Sequence, residues 1–168
     1  MRIIVMSDSH TAYSRVLDIV QSNQSADLFI HLGDGEDEFD RVAACYPEKA
    51  FLGVRGNNDW HSEKPGVGFI TLEGVKIMYT HGHLFSVKWG LDQLIREGVA
   101  QDARVMLYGH THVARRDYVD GRYIINPGSV ADSSMTAAGY LALDITPTGI
   151  MPIHRRMDHS VVEYREYR

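Results

Sequence analysis

The sequence predicts an α/β fold built on two packed sheets. Strand-like and helix-like segments alternate through the first half of the chain, as parallel strands joined by crossover helices do. The second half is dominated by strand pairs flanking short turn dipeptides, as in antiparallel hairpins. Size and composition agree: 168 residues, 44% hydrophobic and 23% charged, suit one globular domain with a substantial core. Residues 1–168 are therefore read as a single domain.

The elements follow in order. RIIVM (2–6) is a buried-strand run. Tyr13–Ser22 carries Val16, Leu17, Ile19 and Val20 on one side of a helix. DLFIHL (27–32) is a second strand. Asp37–Tyr46 spaces Phe39, Val42, Ala43 and Tyr46 as a helix does, and Ala50–Val54 is a third strand. Phe69–Leu72 and Val75–Thr80 flank Glu73-Gly74 as a hairpin. Val87–Val99 reads as a helix with Trp89, Leu91, Leu94 and Ile95 as its apolar positions, and Val105–Tyr108 as a strand. Asp117–Val119 and Tyr123–Ile125 flank Asp120-Gly121, the strongest short hairpin signal in the chain. Tyr140–Ile145 and Ile150–His154 are the last strands. The tail, 158–168, is expected as an exposed strand or loose end, with a homo-oligomer contact as an alternative use.

Composition also excludes. Net charge is −5, which argues against a general duplex-nucleic-acid binder. Cys45 is the single cysteine, so no internal disulfide calls for an oxidising compartment. The apolar start is too short for a signal-peptide core, and no run approaches a membrane span. The expectation is a soluble cytoplasmic protein without membrane partners. One feature stands out: nine histidines, clustered.

Five strand runs each end, on the carboxyl side, in a polar cluster: Asp8-Ser-His10, Gly33-Asp34, Gly56-Asn57-Asn58-Asp59, His81-Gly-His83 and His110-Thr-His112. Sheets of this type gather ligands outside the carboxyl ends of their strands, so the clusters should converge. They offer carboxylates, an amide oxygen and imidazoles without thiolate, a donor set for Zn, Mn, Fe, Co or Ni. The donors outnumber what one tetrahedral ion takes, favouring two ions bridged by a shared carboxylate. Glycines before Asp34, Asn57 and His110 fit tight turns there. Two divalent ions would offset most of the chain's negative charge and make the site attractive to phosphate.

The motifs DSH, GD, GN-x-D, HGH and GHTH, in this order, resemble the calcineurin-like metallophosphoesterase family. Tyr123–Ser129 (YIINPGS) and the chain's shortness resemble its small single-domain YfcE-type phosphodiesterase branch. The resemblance covers nearly all of 1–145. It implies the metallo-dependent phosphatase fold, a four-layer α/β-β/α sandwich with a dinuclear site at the sheet edge. It implies Asp8, His10, Asp34 and His112 as ligands of one ion. Asp34, Asn57, His81 and His110 match the ligands of the other, with Asp34 as the bridge. Two divalent ions are expected as cofactors, Mn first, with Ni, Zn, Fe or Co as alternatives. The implied reaction is in-line attack on a small phosphodiester by a metal-bridging hydroxide.

The chain departs from the family at Asn58, where many members carry a histidine thought to protonate the leaving group. An amide cannot serve as a general acid. This favours diesters that leave with little help, or a proton from water or His83. Asn57 and His83 are thus the candidate catalytic residues beyond ligation. Asp59 is read as a carboxylate orienting its loop. Asn58 and Trp60 are assigned to the substrate rim, as is the surroundings of Trp89. His31 is expected in the core or on a sheet face, and His61, His154 and His159 at the surface. The turn Asn126-Pro-Gly-Ser129 is a supporting wall of the site by resemblance. Two alternative functions are a catalytically weak protein-binding scaffold of the same fold and a phosphomonoesterase or nucleotide hydrolase. All seven ligand positions hold residues able to ligate, which favours the enzyme.

Overall fold

The computed structural model describes residues 1–131 and 137–163. Its strands are β1 (Arg2–Met6), β2 (Leu28–His31), β3 (Ala50–Gly53), β4 (Val67–Leu72), β5 (Val75–Thr80), β6 (Val105–Leu107), β7 (Arg115–Val119), β8 (Arg122–Asn126), β9 (Gly139–Thr146) and β10 (Gly149–Arg156). The helices are α1 (Tyr13–Ser22), α2 (Glu36–Ala44) and α3 (Asp92–Ala100). Two five-stranded sheets result, ordered β10-β9-β1-β2-β3 and β4-β5-β6-β8-β7. Both are mixed. β1, β2 and β3 run parallel, as do β5, β6 and β8, while β9, β10, β4 and β7 pair antiparallel.

Alternation along the strands assigns the layers, because successive side chains point to opposite faces. Ile3 and Val5 of β1, Leu28 and Ile30 of β2, and Leu141, Leu143 and Ile145 of β9 meet Ile77, Val105, Leu107 and Ile125 of the other sheet. The intervening Ile4, Met6, Phe29 and Ala142 face outward onto Val16, Ile19, Val20, Phe39 and Val42 of α1 and α2. Met78, Met106 and Ile124 face Leu94 of α3. The order is helices, sheet, sheet, helix: the four-layer sandwich expected. Central parallel strands are apolar on both faces because both faces are covered.

Glu73-Gly74 and Asp120-Gly121 both turn with two consecutive positive φ values, 49° and 76°, 48° and 78°. That is the type I′ signature of the hairpins expected there. The expected helix over 87–99 is shorter. His83–Phe85 forms a single 3₁₀ turn, Ser86 is left-handed, and α3 begins at Asp92. Gly90 interrupts helical propensity there. Trp89 is 93% exposed and is no apolar helix position, whereas Leu94 is buried. His154, expected at the surface, is buried: β10 register sets it opposite Leu141, and its Nε2 donates to the carbonyl of Asn126 at 2.7 Å. It ties β10 of one sheet to β8 of the other. His31 is buried and His61 exposed, as expected. In the tail, an isolated bridge joins Arg155 and Val161; residues 164–168 lie outside the described residues.

Candidate metal centre

Parallel strands end on the same edge of a sheet, so β1, β2 and β3 deliver Asp8, His10, Asp34 and Asn57 to one edge. β5 and β6 deliver His81, His110 and His112 from the facing sheet. Hydrogen bonds close the seam. His110 N–H donates to Asp8 Oδ2 (3.0 Å) and His81 Nδ1 to the Leu32 carbonyl (2.7 Å). Gly33 and Gly56 back onto each other between β2 and β3. A Cβ on Gly33, at φ 97°, would lie 2.5 Å from the Gly56 nitrogen, so both loops need glycine for their close approach.

The donor atoms form two groups, Asp8/His10/His112 and Asp34/His81/His110, with ligand atoms in each within 4.8 Å of one another. In the first, His112 Nε2 lies 3.1 Å from Asp8 Oδ1 and 3.1 Å from His10 Nε2. In the second, His81 Nε2 lies 3.4 Å from Asp34 Oδ2, 3.2 Å from His110 Nδ1 and 3.0 Å from Asn57 Oδ1. The groups adjoin: His81 Nε2 is 3.9 Å from Asp8 Oδ1 and His10 Nε2 is 4.0 Å from Asp34 Oδ2. The structure thus brings all seven sequence-predicted ligand positions together.

These residues fit divalent cations. Ligand atoms each about 2.1 Å from one ion sit roughly 3.0 Å apart at octahedral angles and about 3.4 Å at tetrahedral angles, the spacing of the closest pairs here. Asp8 Oδ1 is buried without a hydrogen-bond donor, while Ser7 and the His110 amide occupy Oδ2. One oxygen is anchored and the other is left for an electrophile. Leu32 can only accept, so His81 carries its proton on Nδ1 and turns the Nε2 lone pair inward. The main-chain N–H and Nδ2 of Asn58 donate to Asp34 Oδ1 (2.8 Å) and Oδ2 (2.7 Å). Each of these oxygens keeps a lone pair beyond that bond.

Charge follows geometry. Burial acts to raise the Asp34 carboxyl, but contact with His81 and Asn58 holds it well below the usual range. Burial likewise opposes Asp8, which contact with His112 and the charge of His81 keep low. Burial and neighbouring His81 press His110 down to about 4. His81 is raised by Asp34 and Asp8 against its burial, and His112 by Asp8. The ionised carboxylates and His110 are ready to ligate, whereas a cation would have to displace the protons that Asp8 and Asp34 favour on His81 and His112, because ligation needs deprotonated imidazoles.

The remaining residues sit around this set. Asp59 accepts from the main-chain N–H groups of Asp34, Gly35, Glu36 and Gly56 at 2.7–3.2 Å. It caps the N-terminus of α2 from another loop, where a carboxylate is favoured. His83 stands with its ring centre 5.3 Å from His81 and 6.2 Å from His110, in neither group, with Nδ1 buried and unpartnered. Burial and the charge of His81 lower its pKa. Trp60, 83% exposed, lines a cavity of about 690 Å³ with Asn58, Asp59, Glu36 and Asp37. Those four also line a cleft of about 220 Å³ that reaches His10 and Asp34. Asn126 Nδ2 donates to the Gly109 carbonyl and Thr111 Oγ1, and Ser129 Oγ to the Asp8 carbonyl. Sequence reasoning missed the contact of Asn58 with Asp34, and it missed Glu38, buried beneath the centre. An acidic residue in the first turn of a helix looks like ordinary charge–dipole pairing.

Comparisons with known proteins place this geometry. Residues 1–148 match the family model of the calcineurin-like phosphoesterase superfamily domain. A probable metallophosphoesterase of Bacillus subtilis (strain 168) is 33% identical over 77% of this chain and 75% of its own. A phosphodiesterase of Methanocaldococcus jannaschii is 30% identical over 99% of this chain and 98% of its own. The crystal structure of an uncharacterized predicted phosphoesterase from Streptococcus pneumoniae TIGR4 superposes with a TM-score of 0.84 at 27% identity, covering 96% of this chain and 92% of that one.

Proposed function

The chain belongs to the calcineurin-like phosphoesterase superfamily, and on that premise we propose that it is a cytoplasmic phosphodiesterase acting on small phosphodiesters at a dinuclear metal centre. The observation that carries this reading is the convergence of six donor side chains into two adjoining groups, with Asn57 Oδ1 3.0 Å from His81 Nε2 as a seventh, all from five strand ends. Asp8, His10, Asp34 and His112 would hold one ion; Asp34, Asn57, His81 and His110 would hold the other. Manganese is the first choice, and the nitrogen and oxygen donors also suit Ni, Zn, Fe or Co. When bound, such ions supply ionised water near neutral pH and positive charge for phosphoryl oxygens.

The protein's own residues do the rest. Asn58 fixes the Asp34 carboxylate from both sides, so it is committed to that group and offers no proton to a leaving alkoxide. Asp59 sets the loop on which Asn57 stands by gripping the start of α2. His83 stands beside the ligand groups without belonging to either, and is the candidate to meet the leaving group or a phosphate oxygen. The cavity beside Trp60 shares Glu36, Asp37, Asn58 and Asp59 with the cleft that reaches His10 and Asp34, and would receive the substrate's organic arm. A diester with a stable leaving alkoxide needs the least general-acid help. The full-length relative named as a phosphodiesterase supports that preference.

The test is hydrolysis of an activated aryl phosphodiester against the matching monoester by purified protein with added manganese, alongside elemental analysis. The expected result is bound divalent metal and faster turnover of the diester. Faster turnover of the monoester would overturn the diester assignment. Metal-loaded protein inert on every phosphoester would favour the scaffold reading.

A further inference from the structure

Beneath the metal centre runs a buried chain of hydrogen bonds that the proposed reaction does not use. The Gly33 main-chain N–H donates to His31 Nδ1 at 3.1 Å, which leaves the ring proton on Nε2. That Nε2 faces Ser9 Oγ at 2.9 Å, and the Ser9 hydroxyl donates to Glu38 Oε1 at 2.6 Å. The Thr11 N–H donates to the same oxygen at 2.8 Å. Every donor points toward Glu38. Ser9, His31 and Glu38 are 0%, 1% and 5% exposed.

We propose that Glu38 is a positioning residue for the metal centre: through Ser9, His31 and Thr11 it holds the 8–11 and 33–34 loops in their cation-receiving shape and so sets metal affinity. This rests on the metal-centre reading above. The loop from Asp8 to Thr11 needs such a hold. Asp8, His10 and Thr11 have φ of 54°, 40° and 73°, a left-handed conformation that side-chain-bearing residues avoid, β-branched threonine most of all. Ser9 lies between two predicted ligands and turns its hydroxyl away from them into this chain. His31 reaches the other ligand loop through Gly33. Glu38 stands on α2, whose start Asp59 fixes. One carboxylate thus joins ligand loops from β1 and β2 to a rigid helix. The packing leaves no slack: a Cβ on Gly35 would lie 1.9 Å from Ser9 Oγ and 2.7 Å from Glu38 Oε1. A buried carboxylate is costly unless hydrogen-bonded, and an apolar side chain would fill the same volume without ordering the loops.

The experiment titrates manganese into metal-free wild type, Glu38→Gln, Glu38→Met and Ser9→Ala by calorimetry, with urea unfolding of each apo protein in parallel. Glutamine keeps an oxygen that can accept from both Ser9 and Thr11, so Glu38→Gln should bind within about threefold of wild type. Glu38→Met and Ser9→Ala should bind about 10-fold more weakly, the lower end of what loss of a ligand's own hydrogen-bond partner costs, because this chain orders the ligand loops without touching a ligand side chain. A merely structural role would lower apo stability and leave the affinity of the folded protein unchanged. Wild-type affinity in both Glu38→Met and Ser9→Ala therefore overturns the proposal. So does an equal loss in Glu38→Gln and Glu38→Met, because charge rather than hydrogen bonding would then set affinity. Wild-type protein that binds no metal overturns both this proposal and the metal-centre reading.

Discussion

The interior of the strands and their carboxyl ends obey opposite rules. Between the sheets, Ile3 and Val5 of β1, Ile30 of β2 and Leu107 of β6 are apolar, fully buried and alternate in face with their neighbours. A few residues further along the same strands, Asp8, His10, Asp34, His110 and His112 are polar and all have positive φ, from 40° to 67°. A left-handed conformation costs roughly 1–2 kcal/mol for a residue with a side chain. The interior provides stability; the ends place donor atoms, at a cost in strain. Strain of this kind gathers at functional sites when the surroundings enforce it. Here the enforcement is visible in the bonds joining loop to loop, such as Asp8 N–H to the Gly33 carbonyl and His10 N–H to the Asp34 carbonyl, each 3.0 Å.

That division is most sharply broken at Asp34. Asp34→Asn or His81→Ala should lower turnover by about 10²–10³-fold, the scale on which electrostatic stabilisation of a transition state is lost. Apo stability should change far less. Steady-state rates with saturating manganese, set against urea unfolding in chelator, check both halves. An Asp34→Asn protein with wild-type turnover would remove the dinuclear account.

The reverse experiment is Leu143→Ala. Removing a buried leucine from the inter-sheet core should cost about 2–5 kcal/mol of unfolding free energy. Manganese affinity of the folded protein should hold, because no donor loop is touched. Equilibrium unfolding and calorimetric titration read the two numbers separately.

His31 belongs to both regions, which makes pH a probe of the boundary. Burial holds its imidazole down to about 4, against the pull of Asp8 and Glu38. In the unfolded chain it takes its proton near 6.5. Between those values the unfolded state binds more protons, so stability falls as pH drops from about 6.5 to 4. The contribution of this one residue is on the order of 3 kcal/mol. Urea unfolding of the apo protein across that window should show a steeper loss in wild type than in His31→Gln. Parallel curves would mean that His31 is protonated without penalty in the fold.

How far the sequence foretold this arrangement depends on how local each signal is. The convergence of the candidate ligands at strand ends was legible because each cluster directly follows its own apolar run, and parallel topology then fixes where the ends meet. The layers were legible for the same reason: Ile3-Ile4-Val5-Met6 alternates between two buried faces. The start of α3 was not, because Trp89 counts as apolar in any periodicity although it points to solvent. Gly90 was the available warning. His154 and Glu38 were illegible for another reason. Their burial depends on partners 28 and 29 residues away in sequence, Asn126 and Ser9. No local pattern encodes a hydrogen bond of that span. Nor does composition announce the left-handed backbone at the candidate ligands, beyond the mild tolerance of Asp and His for that region.

The smallest expected effect isolates the strain itself. His112 has φ 61° and its side chain is 35% exposed, and truncation to alanine or to glycine removes the same imidazole packing. His112→Ala and His112→Gly both delete the imidazole and its contact with Asp8, and both should weaken manganese binding alike. They differ only in the Cβ, which the left-handed backbone disfavours. Glycine should therefore make the apo protein about 1 kcal/mol more stable than alanine, against the usual order in which glycine destabilises. Chemical unfolding in chelator measures that difference. Alanine equal to or better than glycine would mean that the 109–112 loop relaxes once its ligand is gone. Its left-handed geometry would then be imposed by the histidine's contacts rather than by the chain path between β6 and β7.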